Sequence, residues 1–331
     1  MKKRDNSIDI VKGWGIILVI WGHTSHFLFD EIYAFHMPLF FFLSGCFFSS
    51  ELSFGDFIKK KFKQLIVPYW LFIILSCLYY WGLLYVTGRF NTECFSSLYD
   101  LFPYDNENIN TPLWFFFALF WMSILYYLLR KSVDNNFVIL GITVALHLLE
   151  FFLTQIDFAL PAYMGRSLRE LVYMHLGFWL YKETKFVFIN KNTTLKKYLY
   201  IVISIIAFIL LFTIQKQING CLWSLMTVFT AFVGIAFSLF LAGIIRNKVL
   251  IVAFSYLGTH TLCLFSIHLP LYEISRPIAK MLFGPNNIYY DITSFLVVLV
   301  LSIIGGEVLM LIFPKILGKS ILAGKMGLSS H

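Results

Sequence analysis

Apolar runs separated by short charged breaks pattern the whole chain. They fall at about 8–29, 33–50, 66–87, 112–130, 136–154, 166–182, 198–215, 221–245, 254–275 and 292–313. About 20 apolar residues cross the hydrocarbon core of a bilayer as a helix. The pattern therefore predicts an all-α, polytopic transmembrane helix bundle of about ten spans. Connections are short, and neither a low-complexity tract nor an internal repeat interrupts them. The expectation is one membrane-embedded domain over residues 1–331, with no separate soluble domain.

The positive residues orient the bundle. Lys2, Lys3, Arg4, the Lys59–Lys63 cluster, Arg130, Lys131, the basic 182–197 loop, Arg246, Lys248, Lys315, Lys319 and Lys325 fall on one side. Arg89, Arg166, Arg169, Lys216, Arg276 and Lys280 fall on the other. By the positive-inside rule the richer side is cytoplasmic, which places both termini inside. Composition agrees, with 59% hydrophobic and 13% charged residues against about a quarter charged in soluble domains. The net charge of +8 follows from this bias and from attraction to anionic lipid, so no nucleic-acid partner is needed. Met1-Lys2-Lys3-Arg4 before an apolar run resembles a signal peptide. That run lacks a small-residue cleavage site and carries Lys12, His23 and His26, so a retained first helix is expected. The five cysteines, 46, 77, 94, 221 and 263, form no CxxC pair. No metal site is expected. A disulfide between Cys94 and Cys221 on the outer side stays open.

Ionisable groups inside spans are expensive and mark function. Asp9, Lys12 and His23 lie on the first run. Lys12 and His23 are eleven residues apart, within about 20° of a whole number of turns, and Asp9 to His23 is about 40° off. The three share a face, with Lys12 about 16 Å nearer the cytoplasm. The residues alone leave a second reading: Asp9 and Lys12 pair at i,i+3 while Lys12 snorkels, and His23 is a satisfied buried histidine. Further along, Arg166, Arg169 and Glu170 occupy i, i+3 and i+4 with Tyr173 on the same face. They suit either a binding cluster for a polar ligand or an interfacial anchor with an internal ion pair. Trp114 fits ring stacking on a ligand or an aromatic belt. His175 is expected to pack. His147 with Glu150, and Glu307, are secondary candidates.

Ordered motifs then carry a resemblance. Gly22-His23, the eleven-residue Lys12-to-His23 spacing and the run from Phe35-His36-Met37-Pro38 to Ser44-Gly45 resemble the acyltransferase 3 superfamily of integral-membrane acyltransferases. Ile8-Asp9-Ile10-Val11-Lys12-Gly13 is similar to the opening of its sugar O-acetylase (fucose 4-O-acetylase-like) branch. Lys63 to Tyr69, Pro112 to Phe115, Gly165 to Glu170 with Gly177, and Tyr256 to Leu262 running on to His268-Leu269-Pro270-Leu271 follow in order. His260 departs from the pattern, because relatives often carry asparagine or serine there.

The resemblance implies an O-acyltransferase that moves an acyl group, by default acetyl, from cytoplasmic acyl-CoA to a hydroxyl of a sugar or lipid-linked glycan. Acetyl-CoA would be a substrate rather than a permanently bound cofactor. His23 would be the general base or, alternatively, an acyl-carrying nucleophile. Lys12 would steady the donor, and Asp9 would hold Lys12 or orient another histidine. Arg166, Arg169, Glu170, Trp114, His36 and His268 would contact substrate. The lipid bilayer of a bacterial cytoplasmic membrane is the expected setting, and a homodimer stays open. The rival class is a glycan transporter or flippase, which predicts paired broken helices in two related halves.

Overall fold

The computed structural model describes residues 6–88, 109–186 and 194–318. These segments are helices and short connections. They comprise α1 (Asn6–Thr24), α2 (Phe29–Tyr33), α3 (His36–Cys46), α4 (Phe54–Lys61), α5 (Val67–Val86), α6 (Trp114–Ser132), α7 (Asn136–Gln155), α8 (Met164–Thr184), α9 (Thr194–Gln215), α10 (Gly220–Ile244), α11 (Lys248–Thr259), α12 (Thr261–Phe283), α13 (Ile288–Ile312) and α14 (Pro314–Leu317). A π turn, Phe62–Ile66, joins α4 to α5, and a 3-10 turn, Thr111–Leu113, opens α6. Among the described residues, six helical stretches are long and apolar enough to cross a membrane. A seventh is formed if the bent pair α11–α12 counts as one span.

Local chemistry sets the ends. Ser53 accepts from the Asp56 amide at the start of α4. Asn135, Asn247 and Asn287 accept from amides at the starts of α7, α11 and α13, satisfying donors that a helix leaves unpaired. Pro68 and Pro112 sit in first turns, where the missing N–H costs nothing.

Of the ten predicted runs, those at 8–29 and 166–182, which form α1 and α8, are not among those six stretches, and two others take a different form. The run at 33–50 yields only the 11-residue α3, about 16 Å long and too short to cross the hydrocarbon core. Its residues Leu39 to Leu43 are all buried, so α3 is a core helix of the bundle. The run at 254–275 is broken. An 81° bend separates α11 from α12 at His260, whose Nδ1–H donates to the Tyr256 carbonyl at 2.8 Å. The Thr261 hydroxyl donates to the Gly258 carbonyl at 2.8 Å. Side-chain donors thus gather on the carbonyls at the break, where the Tyr256 carbonyl also accepts from the His260 N–H at 3.1 Å.

Glycine pairs let the core helices touch. Helix α3 packs on α8, and α1 packs on α11. A methyl at Gly45 would overlap the Met174 carbonyl oxygen, and one at Gly177 would overlap that of Phe42. Gly13 and Gly258 play the same parts between α1 and α11, against Phe254 and Asp9. Backbone-to-backbone contact through small residues is how helices associate where lipid supplies no hydrophobic drive. At the periphery, α9 shows Ile203, Ile206, Ile209 and Leu210 outward, as a lipid-facing helix should.

Candidate active site

Among the described residues, two large cavities reach α1, one at His23 and the other at Lys12. One has a volume of about 830 Å³ and is lined by His23, Tyr33, His36, Trp114, His147, Glu150, Arg166, Arg169, Glu170, Tyr173 and Trp223, among others. The other, about 950 Å³, is lined by Lys12, Ser44, Phe47, Lys60, Lys61, Lys63, Gln64, Thr259 and Lys315 at its polar end. Its apolar wall is Phe40, Leu43, Phe115, Phe116, Leu119 and Leu262. Phe265 lines both.

In the histidine cavity, geometry fixes the tautomers. A ring nitrogen within hydrogen-bond distance of a carbonyl must be the N–H donor. His23 Nδ1–H donates to the Val19 carbonyl at 2.8 Å, which leaves the lone pair on Nε2. His36 Nδ1–H donates to Ile32 at 2.8 Å, and His268 Nδ1–H donates to Phe265 at 2.7 Å. The His23 ring lies 4.9 Å from that of His268 and 5.8 Å from Tyr33. Tyr33 in turn meets His36 edge-on at 4.7 Å. His268 is fully buried, and its Nε2 has no hydrogen-bond partner among the described residues. It backs His23 rather than lining the cavity. Among the described residues, no group of three or more His, Cys, Asp and Glu is placed to hold a metal.

The opposite wall comes from α7 and α8. Arg169 Nη2 donates to Glu150 Oε1 at 2.9 Å, and His147 Nδ1–H donates to the Arg169 carbonyl at 2.8 Å. His147 Nε2 lies 3.0 Å from the Ser224 carbonyl and 2.9 Å from the Ser224 hydroxyl. The Arg166 guanidinium lies 4.4 Å over the Trp114 ring, a cation–π stack. Glu170 Oε2 and Arg169 Nε are buried and unpartnered among the described residues.

The candidate residues divide between the two chambers. His23, His36, Trp114, Arg166, Arg169 and Glu170 come together in one. Lys12 lines the other, its Nζ 4.7 Å from the Phe47 ring centroid. Asp9 is buried and lines neither cavity; its carbonyl oxygen sits where Gly258 brings α11 against α1. His175 packs as expected, bonded to the Tyr126 hydroxyl and the Asn136 carbonyl. Tyr33, Trp223, Lys315 and Phe265 were not singled out from the sequence. Each belongs to an ordinary-looking stretch, and only the folding of α2, α10, α12 and α14 onto the core brings it to a cavity. Cys221 is a free, exposed thiol, and its suggested partner Cys94 lies outside the described residues.

Comparison with known families settles the kinship. A family model described as an acyltransferase domain matches residues 5–307. The chain belongs to the acyltransferase 3 family. The acyltransferase domain thus covers nearly the whole chain, with every lining residue of the histidine cavity and all those of the lysine-rich cavity except residues 315–318. Among individual proteins, the nodulation protein NolL of Mesorhizobium japonicum (strain LMG 29417 / CECT 9101 / MAFF 303099) is 34% identical over 131 residues. That alignment spans 35% of this chain and 34% of NolL. No solved structure matches.

Proposed function

We propose that the protein is a membrane O-acyltransferase of the sugar O-acetylase type. It would take acetyl from acetyl-CoA in the lysine-rich cavity and place it on a hydroxyl of a glycan in the histidine cavity. One observation carries this reading: Lys12 and His23, on the same helix, line different chambers that share a wall at Phe265. The positive-inside rule puts the lysine-rich chamber on the cytoplasmic side, where acyl-CoA resides. Lys60, Lys61, Lys63 and Lys315 suit its phosphates, since charge-assisted hydrogen bonds to phosphate are strong.

The chemistry balances on residues in place. The acceptor hydroxyl attacks the thioester carbonyl while its proton moves to His23 Nε2. The new C–O bond forms and the C–S bond breaks. Thiolate leaves on the side of the Lys12 ammonium, and the proton on His23 passes to it to give the free thiol. On the opposite wall, Arg169, Glu170 and the Arg166-stacked Trp114 orient the sugar. Such a sugar need not be free; a lipid-linked glycan in a bacterial cytoplasmic membrane fits as well. A transporter calls for paired broken helices in two related halves. Among the described residues one bent pair is present, which favours the enzyme.

Membranes containing the protein, incubated with radiolabelled acetyl-CoA and a cell-envelope glycan extract, should transfer label to glycan. The His23→Ala variant, present at the same level, should not. Full transfer by that variant, or glycan crossing the membrane without label, overturns the reading.

A further inference from the structure

Phe265 is where the two chambers meet, and its surroundings restrict what can pass. The apolar wall of the lysine-rich cavity closes on its ring, whose centroid is 5.3 Å from Phe115 and 6.2 Å from Phe116. Phe115 is itself held, its centroid 5.0 Å from Phe41. Beyond Phe265 lies the His23 chamber, with the His268 ring 6.0 Å away. Phe265 itself is buried. The residue is also fixed at its backbone, since its carbonyl accepts the 2.7 Å hydrogen bond from His268 Nδ1–H, and His268 contacts His23.

Transfer requires the thioester carbonyl and the acceptor oxygen to approach within about 3–3.5 Å. With the phosphates of the donor among Lys60, Lys61, Lys63 and Lys315 and the acceptor beside His23, the acyl group must reach past the Phe265 ring. A closely packed interior yields little to added methylenes, and overpacking costs roughly 1–3 kcal/mol. One ring, Phe265, stands at the boundary that any such acyl group has to pass.

We propose that the Phe265 side chain is the septum between donor and acceptor chambers and the determinant that restricts transfer to short acyl groups. The proposal rests on the acyltransferase reading above and adds a chain-length limit and its residue. The step itself is unchanged: the acyl C–S bond of the donor breaks, the C–O bond to the acceptor forms, and the hydroxyl proton travels through His23 to the thiolate. Phe265 touches the acyl chain and takes no proton.

The experiment is a donor competition. Membranes bearing the full chain receive radiolabelled acetyl-, propionyl-, butyryl- or hexanoyl-CoA with one cell-envelope glycan extract, and label on glycan is measured for each donor. Wild type should strongly favour acetyl. Phe265→Ala should raise the butyryl-to-acetyl ratio by about tenfold, on the order of the discrimination a pocket achieves per methylene. Phe265→Leu should raise it less, and Phe265→Trp should lower the propionyl-to-acetyl ratio. If Phe265→Ala is not recovered in membranes, the Leu and Trp variants still test the ordering. A ratio within twofold of wild type in every recovered variant overturns the septum. So does complete loss of transfer by a Phe265→Ala protein present at the wild-type level. No label from any donor in wild type instead overturns the acyltransferase reading, so the two failures are distinguishable.

Discussion

In the proposed mechanism His23 is the base, because the Val19 carbonyl occupies its other nitrogen. That carbonyl holds Nδ1–H, so Nε2 carries the lone pair, and His23 lines the cavity. General-base catalysis contributes about 10²–10⁴-fold. His23→Ala and His23→Gln should each lose transfer by that order, with unchanged amounts of protein in membranes as the check. Across the cavity, Arg169 is partly exposed while its partner Glu150 is nearly buried. Arg169→Ala leaves that carboxylate without its counter-ion and removes a contact facing the acceptor. We expect a raised KM for acceptor and a smaller effect for Arg169→Lys, measured by titrating glycan at saturating acetyl-CoA. Lysine keeps the charge but loses the planar fork.

At the scale of elements, glycine contacts hold the site helices together. Gly45 and Gly177 place α3, which begins at His36, against α8, which carries Arg166, Arg169 and Glu170. A leucine at either position must push backbone aside. Gly45→Leu should destabilise the protein by at least the 1–3 kcal/mol typical of overpacking. A lowered melting temperature in detergent, or aggregation on size-exclusion chromatography, would show it. The Lys60–Lys63 stretch belongs to α4 and the π turn, and it acts by charge rather than packing. Lys60→Gln with Lys63→Gln should raise the KM for acetyl-CoA while leaving kcat near wild type. The difference from wild type should shrink as salt screens the remaining charge.

The whole molecule is a bundle hollowed from two sides. Its charge asymmetry gives a directional test. In a Cys94→Ser background, the exposed thiol of Cys221 should react with a membrane-impermeant maleimide added to intact cells. A cysteine replacing Lys60 should react only after permeabilisation. The reverse pattern would invert the bundle and place the donor chamber on the wrong side of the membrane.

Helical class and membrane character were legible along the chain because hydropathy is a local property, and the ionisable groups inside apolar runs stood out because their cost is local too. Lys12 and His23 could be set on one helix at a known spacing because an α-helix has a fixed rise and turn. Other features needed distant parts of the chain. The shortness of α3, the bend at His260, the pairing of Glu150 with Arg169 and the placing of Phe265 between two chambers depend on which helices pack together. Nor did helical phase alone show that the stripe on α1 is divided, with Lys12 in one chamber and His23 in the other. Periodicity determines the face a residue occupies; only packing decides whether that face meets a neighbour, lipid or a cavity.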